Sequence, residues 1–205
     1  MKALIVVDIQ NDFLPCGALA VDGGDQIIPI VNQLMKKFDI VVATQDWHPG
    51  GHGSFASTYK GKKPGEQIEL NGLDQVLWPD HCIQGSAGAE FSKQISASEF
   101  HEVIQKGTDL LIDSYSGFFD NGRKKETRLN EYLKSKKVET VFVVGLATDY
   151  CVKFTAIDAV DLGYRTFVIP DATKAVNLHE NEYQNSLNEM SKKGIGLIYS
   201  SEILQ

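Results

Sequence analysis

Cysteine is scarce in this chain: Cys16, Cys82 and Cys151 are the only three among 205 residues. An odd number without a CxxC pair excludes a disulfide framework and fits reduced thiols. Long apolar runs are also missing. The first one, Ala3 to Val7, ends at Asp8, which is too short for a signal peptide or a membrane span, so a cytoplasmic location without a membrane partner is expected. Positive charge is in deficit. Twenty Lys and Arg stand against 27 Asp and Glu, a formal net charge of −7, and this argues against a nucleic-acid partner. No repeat, low-complexity tract or linker divides the chain. After the first apolar run, NDFLPCG stands where a nucleotide-binding fold would carry a Gly-rich phosphate loop, which tells against a flavodoxin-like nucleotide site.

What is present is an ordinary globular composition, 42% apolar and 23% charged, enough for one substantial core and one domain over residues 1–205. Short β-branched runs alternate with helical spacing. Strands are predicted at Ala3–Val7, Ile40–Ala43, His101–Gln105, Thr140–Val144, Arg165–Ile169 and Ile195–Tyr199. Helices are predicted at Gln26–Phe38, Glu90–Ser96, Arg128–Lys136, from Asp149 to a stop at Gly163, and at Glu180–Lys193 before Gly194. The alternation implies an α/β fold of three layers, with a central, mostly parallel six-stranded sheet flanked by helices in a Rossmann-like arrangement. The polar, Gly-rich stretch 47–88 is too long for a simple connection, so a functional insertion with short structure of its own is expected there.

Cys151 falls at the head of the helix that follows the Thr140–Val144 run. Unpaired backbone N–H groups and the helix dipole at such a place favour a thiolate and can also stabilise an oxyanion. Taken alone, a cysteine is more often a small apolar core residue, so position by itself does not decide Cys151, and Cys82 is read as such a residue. Position adds weight to the chemical reading, because ligands of open parallel sheets bind beyond the carboxyl ends of the strands. Asp8, Asp46, Lys106 and Cys151 each follow a different predicted strand.

Asp46-Trp47-His48 is a second constellation, with His52 close behind and His81 in Trp78-Pro79-Asp80-His81. In extended backbone Asp46 and His48 point to one side and can share an ion, and a third ligand from another loop would leave positions open. Imidazoles with a carboxylate suit Zn²⁺, Fe²⁺ or Mn²⁺. His52 is left between ligation, a loop-holding hydrogen bond and simple exposure, the latter two favoured.

Five segments together resemble the bacterial nicotinamidase branch of the isochorismatase-like cysteine hydrolases. They are VVDIQNDF at Val6–Phe13, QDWHP at Gln45–Pro49, WPDHC at Trp78–Cys82, KG with DSYSGFFDNGR at Asp113–Arg123, and GLATDYCV at Gly145–Val152. The resemblance runs in order over nearly the whole chain. It implies a nucleophile at Cys151, acid and base work at Asp8, and Lys106 beside both. It implies a cis peptide before Ala147 that faces the Ala147 and Cys151 N–H groups to an oxyanion. It implies one divalent ion, Zn²⁺ foremost with Fe²⁺ or Mn²⁺ as alternatives, on Asp46, His48 and His81. Phe13, Trp78 and Tyr115, with Leu19 closing, match positions lining a pocket for a flat ring.

The implied activity is hydrolysis of nicotinamide to nicotinate and ammonia through a cysteine thioester, in NAD salvage, with pyrazinamide as a further substrate. Rival readings are a cysteine amidohydrolase acting on a carbamoyl or ureido substrate, and a ring-binding sensor without turnover. Relatives vary in oligomeric state, so a homo-oligomer is compatible with the sequence and not specified by it. The chain departs from the usual pattern at Cys16, where many relatives carry glycine. A positive φ there would make cysteine costly and a second thiol near the site would follow.

Overall fold

The computed structural model describes residues 1–205. Six strands form one sheet: β1 (Lys2–Val7), β2 (Ile40–Asp46), β5 (Glu102–Lys106), β6 (Thr140–Leu146), β7 (Arg165–Lys174) and β8 (Gly196–Leu197). A separate antiparallel hairpin pairs β3 (Gln67–Leu70) with β4 (Leu73–Val76). The sheet order is β5-β2-β1-β6-β7-β8, and every pairing in it is parallel. The expected mostly parallel sheet is thus wholly parallel.

Alternation along the central strand explains the layers. Ala3, Ile5 and Val7 join one buried cluster with Leu129, Leu133, Ala156, Leu187 and Met190, residues of α2 (Leu129–Ser135), α3 (Lys153–Asp161) and α4 (Glu182–Lys192). Leu4 and Val6 join the other with Ile28, Val31, Leu34 and Met35, on α1 (Ile28–Met35). The short C-terminal α5 (Ser201–Leu204) lies on that second side, its Ile203 and Leu204 packed against the cluster. No helix is long and apolar enough to cross a membrane.

Several boundaries differ from the sequence expectation. A 3₁₀ turn, Gly24–Ile27, takes the first part of the predicted Gln26–Phe38 helix, and Pro29 sits in the first turn of α1, where its missing N–H costs nothing. Glu90–Ser96 is not a helix. Its backbone is engaged elsewhere: Asn11 N–H donates to Glu90 O, and Ser92 N–H donates to Ile9 O. Two 3₁₀ turns flank it, at Ala87–Ala89 and Ala97–Glu99. β7 runs past Ile169 to Lys174, and its register against β6 shifts between Val143 and Gly145. At the end of the chain only Gly196 and Leu197 pair as β8.

Gly145 has φ +112, and a Cβ there would lie 2.1 Å from the Val7 carbonyl oxygen. Backbone cannot yield in the centre of a sheet. Gly145→Ala is therefore expected to lose about 3 kcal/mol or more of stability, measured as a lowered urea midpoint. A variant within about 0.5 kcal/mol of the parent would show that β6 can shift away from β1.

Candidate active site

Strand order runs outward from β1 through β2 to β5 on one side and from β6 through β7 to β8 on the other, so the crevice beyond the carboxyl ends of β1 and β6 is the natural place for a ligand. Asp46 and Lys106 are the last residues of β2 and β5, Asp8 follows β1, and Ala147 follows β6. Asp8 and Lys106 are fully or nearly fully buried. The Leu146–Ala147 peptide is cis, as the resemblance implies.

Lys106 is the hub of the first cluster. Its ammonium donates to Asp46 Oδ1 at 2.5 Å, to the Ser114 carbonyl at 2.8 Å and to Cys151 Sγ at 3.4 Å, which uses all three of its hydrogens. Asp8 Oδ2 lies 3.0 Å away as an ion-pair partner and makes no hydrogen bond, while Asp8 Oδ1 accepts from Thr44 Oγ1 at 2.7 Å. One acceptor atom of Asp8, one of Asp46 and the Cys151 sulfur lie within 4.8 Å of one another. The buried Asp8 carboxylate therefore stands close to a thiol.

The charges follow from burial and this geometry. Burial raises the Asp8 carboxyl and Asp46 adds to the rise, while Lys106 opposes both, leaving Asp8 at about 6. Burial also acts against charge on Asp46, but Lys106, His48 and His81 reverse it and hold that carboxyl well below the usual range. Burial pushes the Cys151 thiol well up, with Lys106 opposing. Burial therefore acts against the thiolate that a helix terminus favours. Cys151 lies inside a π-helical turn, Thr148–Val152, that precedes α3, and desolvation dominates there. Burial thus disfavours charge on the sulfur, while the Lys106 ammonium beside it favours charge.

Asp46, His48 and His81 form the second cluster, their ligand atoms within 4.8 Å of one another and all three residues buried. His48 Nδ1 bonds the Gly107 carbonyl at 2.9 Å and His81 Nδ1 bonds the Pro79 carbonyl at 2.8 Å. A carbonyl only accepts, so each Nδ1 carries a proton and each Nε2 is the atom left to ligate. Both Nε2 atoms face Asp46 Oδ2, at 3.7 and 3.9 Å. Burial and His48 push His81 down to about 4, which keeps it neutral, the form that ligates. Two oriented imidazoles and a carboxylate oxygen not bonded to Lys106 fit one divalent ion with open positions.

His52 is fully buried, which removes the reading of simple exposure. Ser54 N–H donates to its Nδ1 at 3.1 Å and the Ser54 hydroxyl lies 2.7 Å from the same atom, so His52 holds its loop. Cys16 has φ +73, the costly conformation that glycine avoids, and it is exposed. It borders an outer depression with Asn11, Asp12 and Asp25 and is not among the residues lining the cavity beside Cys151. Cys82 is a buried member of the core.

That cavity is lined by Phe13, Leu19, Trp78, Tyr115, Ala147 and Cys151, together with Asp46 and His81. Trp78 and Tyr150 meet edge to face at 4.8 Å, and Tyr115 and Tyr150 at 5.3 Å. Sequence reasoning did not single out Tyr150, Val176 or Asp113 as lining residues. The position of Tyr150 directly before Cys151 was a usable signal. Val176 had none, since it is carried in by the loop after β7, where Asp149 accepts from Val176 N–H at 3.0 Å and Asn177 N–H at 2.8 Å. Gln10 was also missed. Its side chain accepts from Asp46 N–H and donates to Asp46 O, both at 2.8 Å, pinning the end of β2.

The family model described as the isochorismatase domain matches residues 2–202. A nicotinamidase of Acinetobacter baylyi is 48% identical over 202 residues, covering 98% of this chain and 94% of that protein. The structure of a nicotinamidase and pyrazinamidase of Acinetobacter baumannii superposes with a TM-score of 0.95 at 46% identity, covering 98% of this chain and 97% of that one. A pyrazinamidase of Pyrococcus horikoshii solved in complex with zinc gives a TM-score of 0.77 at 36% identity, covering 97% and 98%. Sequence and architecture agree, and the chain belongs to the isochorismatase family, alongside its bacterial nicotinamidases.

Proposed function

We propose that this amidohydrolase converts nicotinamide to nicotinate and ammonia through a thioester on Cys151. The observation that carries the reading is a buried thiol, a carboxylate and an ammonium brought together beside an aromatic-walled cavity that a set of candidate metal ligands, Asp46, His48 and His81, also borders. The rival carbamoyl or ureido substrates have no use for a ring-sized aromatic slot beside metal ligands.

Asp8 takes the proton from Cys151 as the sulfur attacks the amide carbon. The Ala147 and Cys151 N–H groups receive the oxyanion. When the tetrahedral adduct collapses, the C–N bond breaks, Asp8 returns the proton to the departing nitrogen, and ammonia leaves an acyl thioester. Water then gives a proton to Asp8 and adds to the thioester carbonyl. The C–S bond breaks, and the sulfur recovers its proton. Amide and water have become carboxylic acid and ammonia, with the enzyme unchanged. Phe13, Trp78, Tyr115 and Tyr150 offer edges and faces to a pyridine ring, and Leu19 closes the slot. Asp46, His48 and His81 would hold one divalent ion, zinc in the first place and iron or manganese otherwise, which supplies a position for the ring nitrogen and so fixes the ring. Nicotinate from this reaction is a precursor for rebuilding the pyridine nucleotide, and pyrazinamide, with the same ring-nitrogen placement, is a second substrate. Such salvage belongs in the cytoplasm.

Ammonia and nicotinate appearing in equal amounts from nicotinamide and purified protein is the direct test. Chelation is expected to lower that turnover at least about 100-fold, with recovery on adding Zn²⁺, Fe²⁺ or Mn²⁺. Full activity in protein shown by elemental analysis to be metal-free would remove the triad from the reaction.

A further inference from the structure

Gln75 lies on β4, outside every segment that carries the family resemblance except by proximity to Trp78, yet it is almost completely buried. Its side-chain nitrogen lies 2.7 Å from Val76 O, 3.1 Å from Asp113 Oδ2 and 3.0 Å from the Tyr115 hydroxyl. A backbone carbonyl and a carboxylate only accept, so this atom is the amide nitrogen, and its two hydrogens are shared among three acceptors. The Tyr115 oxygen also accepts from Trp78 Nε1 at 3.2 Å. Asp113 Oδ1 is taken up by its neighbour's Ser114 N–H at 2.7 Å, which leaves Gln75 as the side chain that orients the other oxygen. Two cavity walls, Tyr115 and Asp113, are therefore tied to one amide carried by the hairpin.

We infer that Gln75 is a positioning residue that sets substrate affinity, holding the Trp78–Tyr115 edge of the slot and the Asp113 carboxylate in register through the β3–β4 hairpin. The substrate concerned rests on the nicotinamidase reading above. Gln75 touches no cavity surface beside Cys151, so it acts through the rings and not on the reacting atoms. Without it, the Tyr115 hydroxyl keeps one donor of two and Asp113 Oδ2 loses its amide, and both side chains gain freedom that a ligand must remove on binding.

The chain has only two tryptophans, Trp47 and Trp78, which supplies a readout apart from activity. In metal-loaded protein, Gln75→Leu is expected to shift the ¹⁵N indole resonance of Trp78 and leave that of Trp47 in place. Its KM for nicotinamide should rise about five- to tenfold while kcat changes less than about threefold. Tyr115→Phe should move the same indole signal, and adding Gln75→Leu to it should raise KM by much less than the product of the two single effects. An unmoved Trp78 signal, a fall in kcat without a rise in KM, or fully multiplicative effects would overturn the inference. Gln75→Glu keeps the length and hydrogen-bonding reach, and covers the case in which the Leu variant fails to fold. Its carboxylate would face that of Asp113, so it too should raise KM and move the Trp78 signal, and parental values for both would likewise overturn the inference. Should the parent protein release no ammonia from nicotinamide, the substrate assignment falls, while the indole signals still decide the positioning role.

Discussion

Replacing Cys151 by alanine is expected to abolish turnover of nicotinamide, by a factor on the order of 10⁴ or more, while leaving its binding within about threefold of the parent. The sulfur is the only atom placed to form a covalent acyl intermediate beside Asp8 and Lys106. Its loss leaves in place the backbone of the π-helical turn, the Asp46–His48–His81 triad and the aromatic walls. The other two thiols have no access to that chemistry. Cys82 is buried in the opposite core cluster, and Cys16 is on the outer surface. Cys16→Ala is expected to keep parental turnover, and Cys82→Ala to keep most of it, with its cost appearing as stability. Mass spectrometry of enzyme quenched during turnover should find the acyl adduct on the peptide containing Cys151. An adduct on Cys16 or Cys82, or substantial turnover by Cys151→Ala, would mean that a different residue is the nucleophile.

Much of this arrangement was legible in the sequence, for reasons that differ by residue. Asp8, Asp46, Lys106 and Cys151 could be placed because parallel strands announce themselves as short apolar runs, and the residue that ends a run lies at the sheet edge. His81 is different. It reaches Asp46 and His48 from inside the 47–88 excursion, and local pattern gives no reason for it to meet Asp46; only the resemblance linked them. The β3–β4 hairpin carried a signal that was left unused: Asn71 and Gly72 have φ +55 and +82, the Asn-Gly turn that joins two-residue hairpins. Glu90–Ser96 failed as a helix because its N–H and C=O groups are claimed by Ile9 and Asn11 across the fold, a tertiary demand that spacing does not encode. The burial of the Cys151 sulfur is also invisible in sequence, where only the helix start can be seen.

The largest effect after the nucleophile is expected at Lys106, because one ammonium faces Asp8, Asp46 and Cys151 at once. Burial opposes its charge, but Asp46, Asp8 and Cys151 raise its proton affinity well above the ordinary lysine value, so it stays protonated wherever the enzyme works. Lys106→Met takes away the group that lowers both Asp8 and Cys151. The sign of the consequence is fixed. Asp8, at about 6 in the parent, moves higher, so less of it is the basic carboxylate at neutral pH, and the thiol, already raised by burial, becomes harder to deprotonate. Turnover at neutral pH should fall at least about 1,000-fold, and any residual rate should rise with pH along a limb displaced upward from the parent's. The same substitution leaves two buried carboxylates without their cation, which costs about 3–5 kcal/mol when a buried pair is broken from one side. Circular dichroism and metal content must therefore be measured beside the rate. Lys106→Arg restores the charge without fitting the three acceptors that the ammonium satisfies, and it separates the two effects. It should recover much of the stability and little of the turnover. Parental turnover in a folded Lys106→Met, or an acid limb displaced downward, would show that the cation does not set the proton balance between Asp8 and Cys151.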